Sequence, residues 1–171
     1  MKTTTISAVS SLSYRESKTY MAAALFVVGN IVLPQLCHLI PQGGLVWLPI
    51  YFFTLIAAYK YGITAGLLTA VVSPLANSML FGMPAVASLP IILIKSVLLA
   101  VAAAFIASRV RSVALWAVAL AVVAYQTIGG LAEWGMTGSL TSALQDIRLG
   151  WPGVLVQVFG GYAVMKWLLR K

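Results

Sequence analysis

Lys95 is the residue with the most chemistry to offer, because it stands inside an apolar run, Leu89-Pro90-Ile91-Ile92-Leu93-Ile94-Lys95. Placing a lysine at the centre of a membrane helix costs about 2.5–3.5 kcal/mol, so such a residue faces a cavity or a partner. Two roles fit it: contact with a carboxylate or phosphate of a solute, or a structural role, as the partner of Glu133 or snorkelling to the surface. Asn77, Gln126, Gln157 and His38 also lie in or at the ends of apolar runs. Gln126 and Glu133 are seven apart and share one helix face, with Gly130 between them leaving room for a ligand or for close helix packing. Asn77 follows Pro74, so its amide either meets a solute or satisfies backbone groups that the proline frees. Trp47, Tyr125 and Trp134, with Trp151, either stack on a ring or belong to the aromatic belts of a membrane interface. Cys37 and His38 are adjacent ligand types with no others near them in the chain, too few for a metal site. Neither a nucleophile–base–acid set nor a phosphate-binding Gly-rich loop is present. No catalytic residue, metal or cofactor is expected, and any ATP-driven step must come from another subunit.

Membrane helices must hold these residues. Of 171 residues, 61% are hydrophobic and only 8% charged, and the mean hydropathy is +1.00. Charge this sparse would leave a soluble domain covered in apolar patches. With about 20 apolar residues per crossing, the apolar runs place spans near 20–40, 45–59, 63–81, 89–107, 113–134 and 151–169. The expected fold is an all-α integral membrane protein, a compact bundle of six transmembrane helices. Residues 1–18 form a cytoplasmic N-terminal segment and residues 19–171 a single membrane domain. A cleaved leader fits poorly, because Ala22, Ala23 and Ala24 precede the apolar run where a cleavage site would follow it. Gly62, Gly66 and Ala70 recur every four residues, the small-residue spacing that brings helix backbones together in lipid. One cysteine excludes a disulfide framework and a Cys-based zinc site.

Basic residues orient the bundle. With the N-terminus inside, Lys2, Arg15, Lys18, Lys60, Arg109, Arg111, Lys166, Arg170 and Lys171 fall on the cytoplasmic side, Arg148 alone falls outside, and Lys95 lies within a span. That bias follows the positive-inside rule and puts both termini in the cytoplasm. It also accounts for the net charge of +8 through anionic lipid headgroups, with no nucleic acid required. At 1.5 Å per residue, Lys95 lies roughly 9 Å below the outer start of its span. Asn77, Gln126, Gln157, Glu133, Gln35 and His38 share that outer half, and only Asn30 approaches the midplane. An ion pathway would need polar residues through the full depth. This segregation instead suits a pocket open outward and sealed below.

At residues 47–95 the chain resembles the substrate-binding S components of energy-coupling factor (ECF) vitamin transporters. The similarity rests on Leu48-Pro49-Ile50, Tyr61-Gly62 with Gly66, Ser73-Pro74, Asn77-Ser78 and Phe81-Gly82-Met83-Pro84. Gly150-Trp151-Pro152-Gly153 with Gln157 resembles the start of that family's last helix. Such proteins lie in the cytoplasmic membrane of bacteria and archaea. The resemblance implies tight capture of a vitamin or cofactor precursor from outside, then association with a transmembrane coupling protein and an ATPase pair. The S component is thought to topple in the membrane to release its load. Ala22, Ala23 and Ala24 supply part of the family's docking patch on the first helix, but Phe26, Val27 and Val28 follow them, so the motif is incomplete. Many relatives carry an acid where this chain has Lys95, which favours an anionic, carboxylate-bearing solute. A six-span scaffold of cell-envelope synthesis is the competing expectation, with a protein partner and no tight small ligand. A small channel or exporter would need polar inner halves, and an intramembrane enzyme would need a catalytic set.

Overall fold

The computed structural model describes residues 12–169. Residues 1–11 of the expected N-terminal segment, Lys2 among them, and Arg170 and Lys171 lie outside the described residues. Every regular element among the described residues is helical.

Helix α1, Ser17–Cys37, buries Thr19, Ala23, Phe26, Asn30 and Pro34, one stripe at steps of three and four. Its other face exposes Met21, Leu25, Val28, Val32 and Leu36. A helix apolar on its outward face suits lipid rather than water. A short helix α2, Gly43–Trp47, ends at Leu48, whose backbone is left-handed at φ 46°. Pro49 then opens a single 3₁₀ turn, Pro49–Tyr51, that runs into α3, Phe52–Tyr61. The span expected at 45–59 is therefore segmented. Proline cannot donate its backbone nitrogen, and its ring cannot follow a helical turn without a clash.

Gly62, at φ 94°, is the one residue between α3 and α4, Ile63–Phe81. After a loop containing the cis Met83–Pro84 peptide come α5, Leu89–Val110, and α6, Leu115–Thr137. Two pieces of four residues each, α7 (Leu140–Ala143) and α8 (Gln145–Arg148), form the polar connector. The last helical stretch is α9, Trp151–Leu155, a wide π turn over Val156–Gly160, and α10, Gly161–Leu168. Among the described residues, α1, α4, α5 and α6 are by length and composition the four helices long and apolar enough to cross a membrane.

The core forms around α3. Leu55, Ile56, Ala57, Ala58 and Tyr59 are consecutive and fully buried, so this helix is enclosed on all sides by α1, α4, α5 and α10. Gly66 lets α4 approach it: a Cβ there would stand 2.5 Å from the Ala58 Cβ. Helices α5 and α6 pack together, and both bury alanines in the core, Ala100, Ala103 and Ala107 on one and Ala117 and Ala121 on the other.

Hydrogen bonds tie one end of the bundle, here the lower end. The Tyr61 carbonyl accepts from the Leu12 N–H at 3.0 Å. Tyr59 Oη donates to the Ser112 carbonyl and Lys60 Nζ to the Leu168 carbonyl, both at 2.9 Å. The ends of α1 and α6, the α4–α5 loop and the α7–α8 connector gather at the opposite, upper end.

Candidate functional site

A cavity of about 530 Å³ occupies the upper end. Its walls come from the end of α1 and the following turn (Pro34, His38, Pro41), from α2 and the 3₁₀ turn (Leu45, Leu48, Tyr51), and from Met83 and Pro84. The start of α5 adds Ile91, Ile92 and Lys95, α6 adds Glu133, and the connector adds Gln145 and Asp146. Most of the lining is apolar, with charge confined to one side.

That charge is an ion triplet. Lys95 Nζ donates to Glu133 Oε2 at 2.5 Å and to Asp146 Oδ2 at 2.7 Å. The lysine is only 3% exposed, so its ammonium has little water and needs both partners. Room for its stem comes from Gly129 on α6: a Cβ there would lie 2.7 Å from Lys95 Cγ. Gly130, the glycine between Gln126 and Glu133 that the sequence drew attention to, instead faces the Ala143 carbonyl of the connector. Glu133 is thus both a lining residue and the lysine's partner. Asp146 was not among the residues singled out in the sequence. Its role depends on α7 and α8 folding back over the bundle, and Ser139 helps by capping α7, its Oγ accepting from the Ser142 N–H at 3.3 Å.

Beside the cavity lies a second polar group. Tyr125 Oη donates to Gln157 Oε1 at 2.9 Å and accepts from Gln126 Nε2 at 3.0 Å. Gln157 Nε2 points at the Leu48 carbonyl at 3.5 Å, which also accepts from the Tyr51 N–H at 3.3 Å across the 3₁₀ turn. The Tyr125 ring packs 5.4 Å from that of Tyr51, which lines the cavity. Gln157 lies within the π turn, a geometry often found at functional positions.

A third polar group lies deeper, between α1, α3 and α4. Asn30 Nδ2 donates to Thr54 Oγ1 at 3.0 Å and to Ser73 Oγ at 3.3 Å, and Asn30 Oδ1 accepts from the Phe53 N–H at 3.1 Å. Asn77 Nδ2 donates to the carbonyls of Asn30 at 2.8 Å and Ser73 at 3.0 Å, while its Oδ1 accepts from Gln35 Nε2 at 3.3 Å.

Of the residues singled out in the sequence, Lys95, Glu133 and His38 line the cavity. Asn77, Gln126, Gln157 and Tyr125 belong to the two polar groups beside and below it. Trp47 and Trp134 are 38% and 48% exposed and lie outside its lining, consistent with interfacial positions. His38 is exposed at the rim, against Gly44. Among the described residues no three of His, Cys, Asp and Glu gather closely enough to hold a metal ion. Missed by sequence reasoning were Asp146 as an ion partner, Gln145, and the apolar wall of Leu45, Tyr51, Ile91 and Ile92. Apolar residues in an apolar chain carry no distinguishing signal. No family model, curated protein or solved structure matches this chain.

Proposed function

We propose that this chain is the solute-capturing subunit of a membrane importer, akin to an ECF S component. It would take up a vitamin or cofactor precursor from outside and depend on separate subunits for energy. The observation that carries this reading is the cavity: about 530 Å³ at the upper end, within the size range of small-molecule sites. Its lining is largely apolar with a few convergent polar groups. Below it the fully buried side chains of α5 and α6 are mainly Leu, Ala and Val, a poor medium for passing a polar solute through unaided. The upper end faces outward in this reading and both termini face the cytoplasm. The reading has six passages, and two features support it: residues 38–61 lead from the upper end of α1 to the lower end of α4, and α9–α10 return from the connector to the Lys60 contact.

The protein in this role is not an enzyme. Release would need a transmembrane coupling protein and an ATPase pair, and the exposed stripe of α1 from Met21 to Leu36 is the surface offered to the coupling protein. A bacterial or archaeal cytoplasmic membrane is its setting.

Mass spectrometry of small molecules released from the gently purified protein tests the reading. Ile91→Trp, which adds bulk to the cavity wall while keeping the three charged side chains, is purified in parallel. A vitamin-like compound in the wild type and its loss from the variant would support capture. An empty wild type with no thermal shift across a vitamin panel would overturn it in favour of a non-transporting scaffold.

A further inference from the structure

We infer that the captured solute is an organic cation with an apolar body, an inference that rests on the solute-capture reading. A buried lysine taken alone points to an anionic solute. In the cavity, however, the Lys95 ammonium is already engaged by two carboxylates, Glu133 and Asp146. Of the chain's three acidic residues, two converge on this one cation, so the triplet has a net charge of −1. Apart from the exposed His38 and the Tyr51 phenol, no other titratable side chain among the described residues lines the cavity with the triplet.

Each carboxylate gives one oxygen to the lysine. The other two, Glu133 Oε1 and Asp146 Oδ1, accept no hydrogen bond among the described residues. Neither oxygen is fully buried, since Ser96 Oγ is the only fully buried side-chain polar atom without a partner among the described residues, and both residues line the cavity. The two carboxylate side chains retain 13% and 14% exposure. Two acceptor oxygens and an uncompensated formal negative charge therefore belong to the wall of a space far larger than an inorganic ion. An ammonium, guanidinium or cationic ring would bring the missing charge and the donors. Its apolar remainder would lie against Leu45, Ile91 and Ile92, with the Tyr51 ring beside it. A carboxylate in the same place would meet two like charges and only one shared ammonium.

Three probes with one body separate charge from shape: phenethylammonium, phenethyl alcohol and hydrocinnamate, titrated into the full chain in lipid nanodiscs. The expected order is cation, then alcohol, then anion, with the cation about tenfold tighter than the anion. In Asp146→Asn the triplet becomes neutral, and the cation's advantage over the alcohol should shrink by about tenfold. Comparing a ratio within one variant separates lost charge recognition from lost folding, and the wild-type ranking needs no variant at all. Hydrocinnamate binding as tightly as phenethylammonium would overturn the inference and leave solute capture standing. Should no probe bind, the solute released from the wild-type protein decides: a positive one supports the inference, a neutral or negative one overturns it. An empty protein that binds no probe would overturn capture and the inference together.

Discussion

Asn30 shows how one polar side chain can make a break in an apolar bundle tolerable. The Phe53 N–H lies in the first turn of α3, where helices leave donors unpaired, and Asn30 Oδ1 accepts from it across from α1. The same amide bonds Thr54 and Ser73, so a neutral residue near mid-depth joins three helices. Replacing it with an apolar residue of similar size, Asn30→Leu, leaves the Phe53 N–H buried without a partner and releases two hydroxyls. A loss of about 2–3 kcal/mol is expected, read as a lower melting temperature in detergent; an unchanged melt would show that the amide group is dispensable. Lys95 makes the opposite kind of contribution. Lys95→Met should cost about 3–5 kcal/mol, because it leaves Glu133 and Asp146 facing each other without their cation. Adding Glu133→Gln and Asp146→Asn to that variant should restore most of the loss, since no uncompensated charge then remains. A single variant as stable as wild type would mean that the triplet is not held as an ion site.

At the scale of helices, glycine positions decide how closely elements meet. Gly66 has the Ala58 Cβ and Cα at 2.5 and 2.7 Å from where its own Cβ would stand. Both neighbours are fixed to the α3 helix, so Gly66→Ala must separate α3 from α4 and should cost about 1–3 kcal/mol. Gly135, inside α6, has nothing within 4 Å of that point. Gly135→Ala should therefore raise stability, by about 0.5–1 kcal/mol from helix propensity alone. Melting the two variants side by side checks the assignment, and equal effects would refute it. The close approach of α4 was legible in the sequence, because Gly62, Gly66 and Ala70 fall on one helical face and small residues mark contact faces in lipid. The central place of α3 was not. Its apolar residues occupy every face, so no periodicity distinguishes a helix ringed by protein from one ringed by lipid. The site divides in the same way. Lys95 was conspicuous because a charge inside an apolar run needs a reason, and Glu133 could be named as its partner. Asp146 is 51 residues away in sequence, in two four-residue helical pieces too short to show a hydrophobic pattern. The fold of that connector, and with it the sign of the cavity's charge, comes only from tertiary packing.

Charge is also sorted along the length of the whole molecule. Lys60 bonds the carbonyl that ends α10, and Tyr59 bonds the turn after Arg111, so Lys60, Arg109, Arg111 and Lys166 gather toward the lower end. Lys18 stands at the start of α1, near the same end through the Leu12–Tyr61 contact. The upper end has Arg148 and the fully paired Lys95. Such sorting means little in water, but in a bilayer it sets which end stays in the cytoplasm. The lower end should be cytoplasmic, and the cavity should open outward. Because Cys37 is the only cysteine, Cys37→Ser gives a background for mapping both ends. On it, Thr141→Cys in α7 should react with a membrane-impermeant maleimide in intact cells. Ser112→Cys, between α5 and α6, should react only after the cells are opened. The pair also tests the number of crossings ahead of each site: three spans before Ser112 and α6 between it and Thr141 would leave the two on opposite sides but reverse them. Labelling of Ser112→Cys in intact cells, with Thr141→Cys protected, would place the cavity on the cytoplasmic face, where it could not collect a solute from outside. Capture for uptake would then be untenable, whatever the cavity was found to bind.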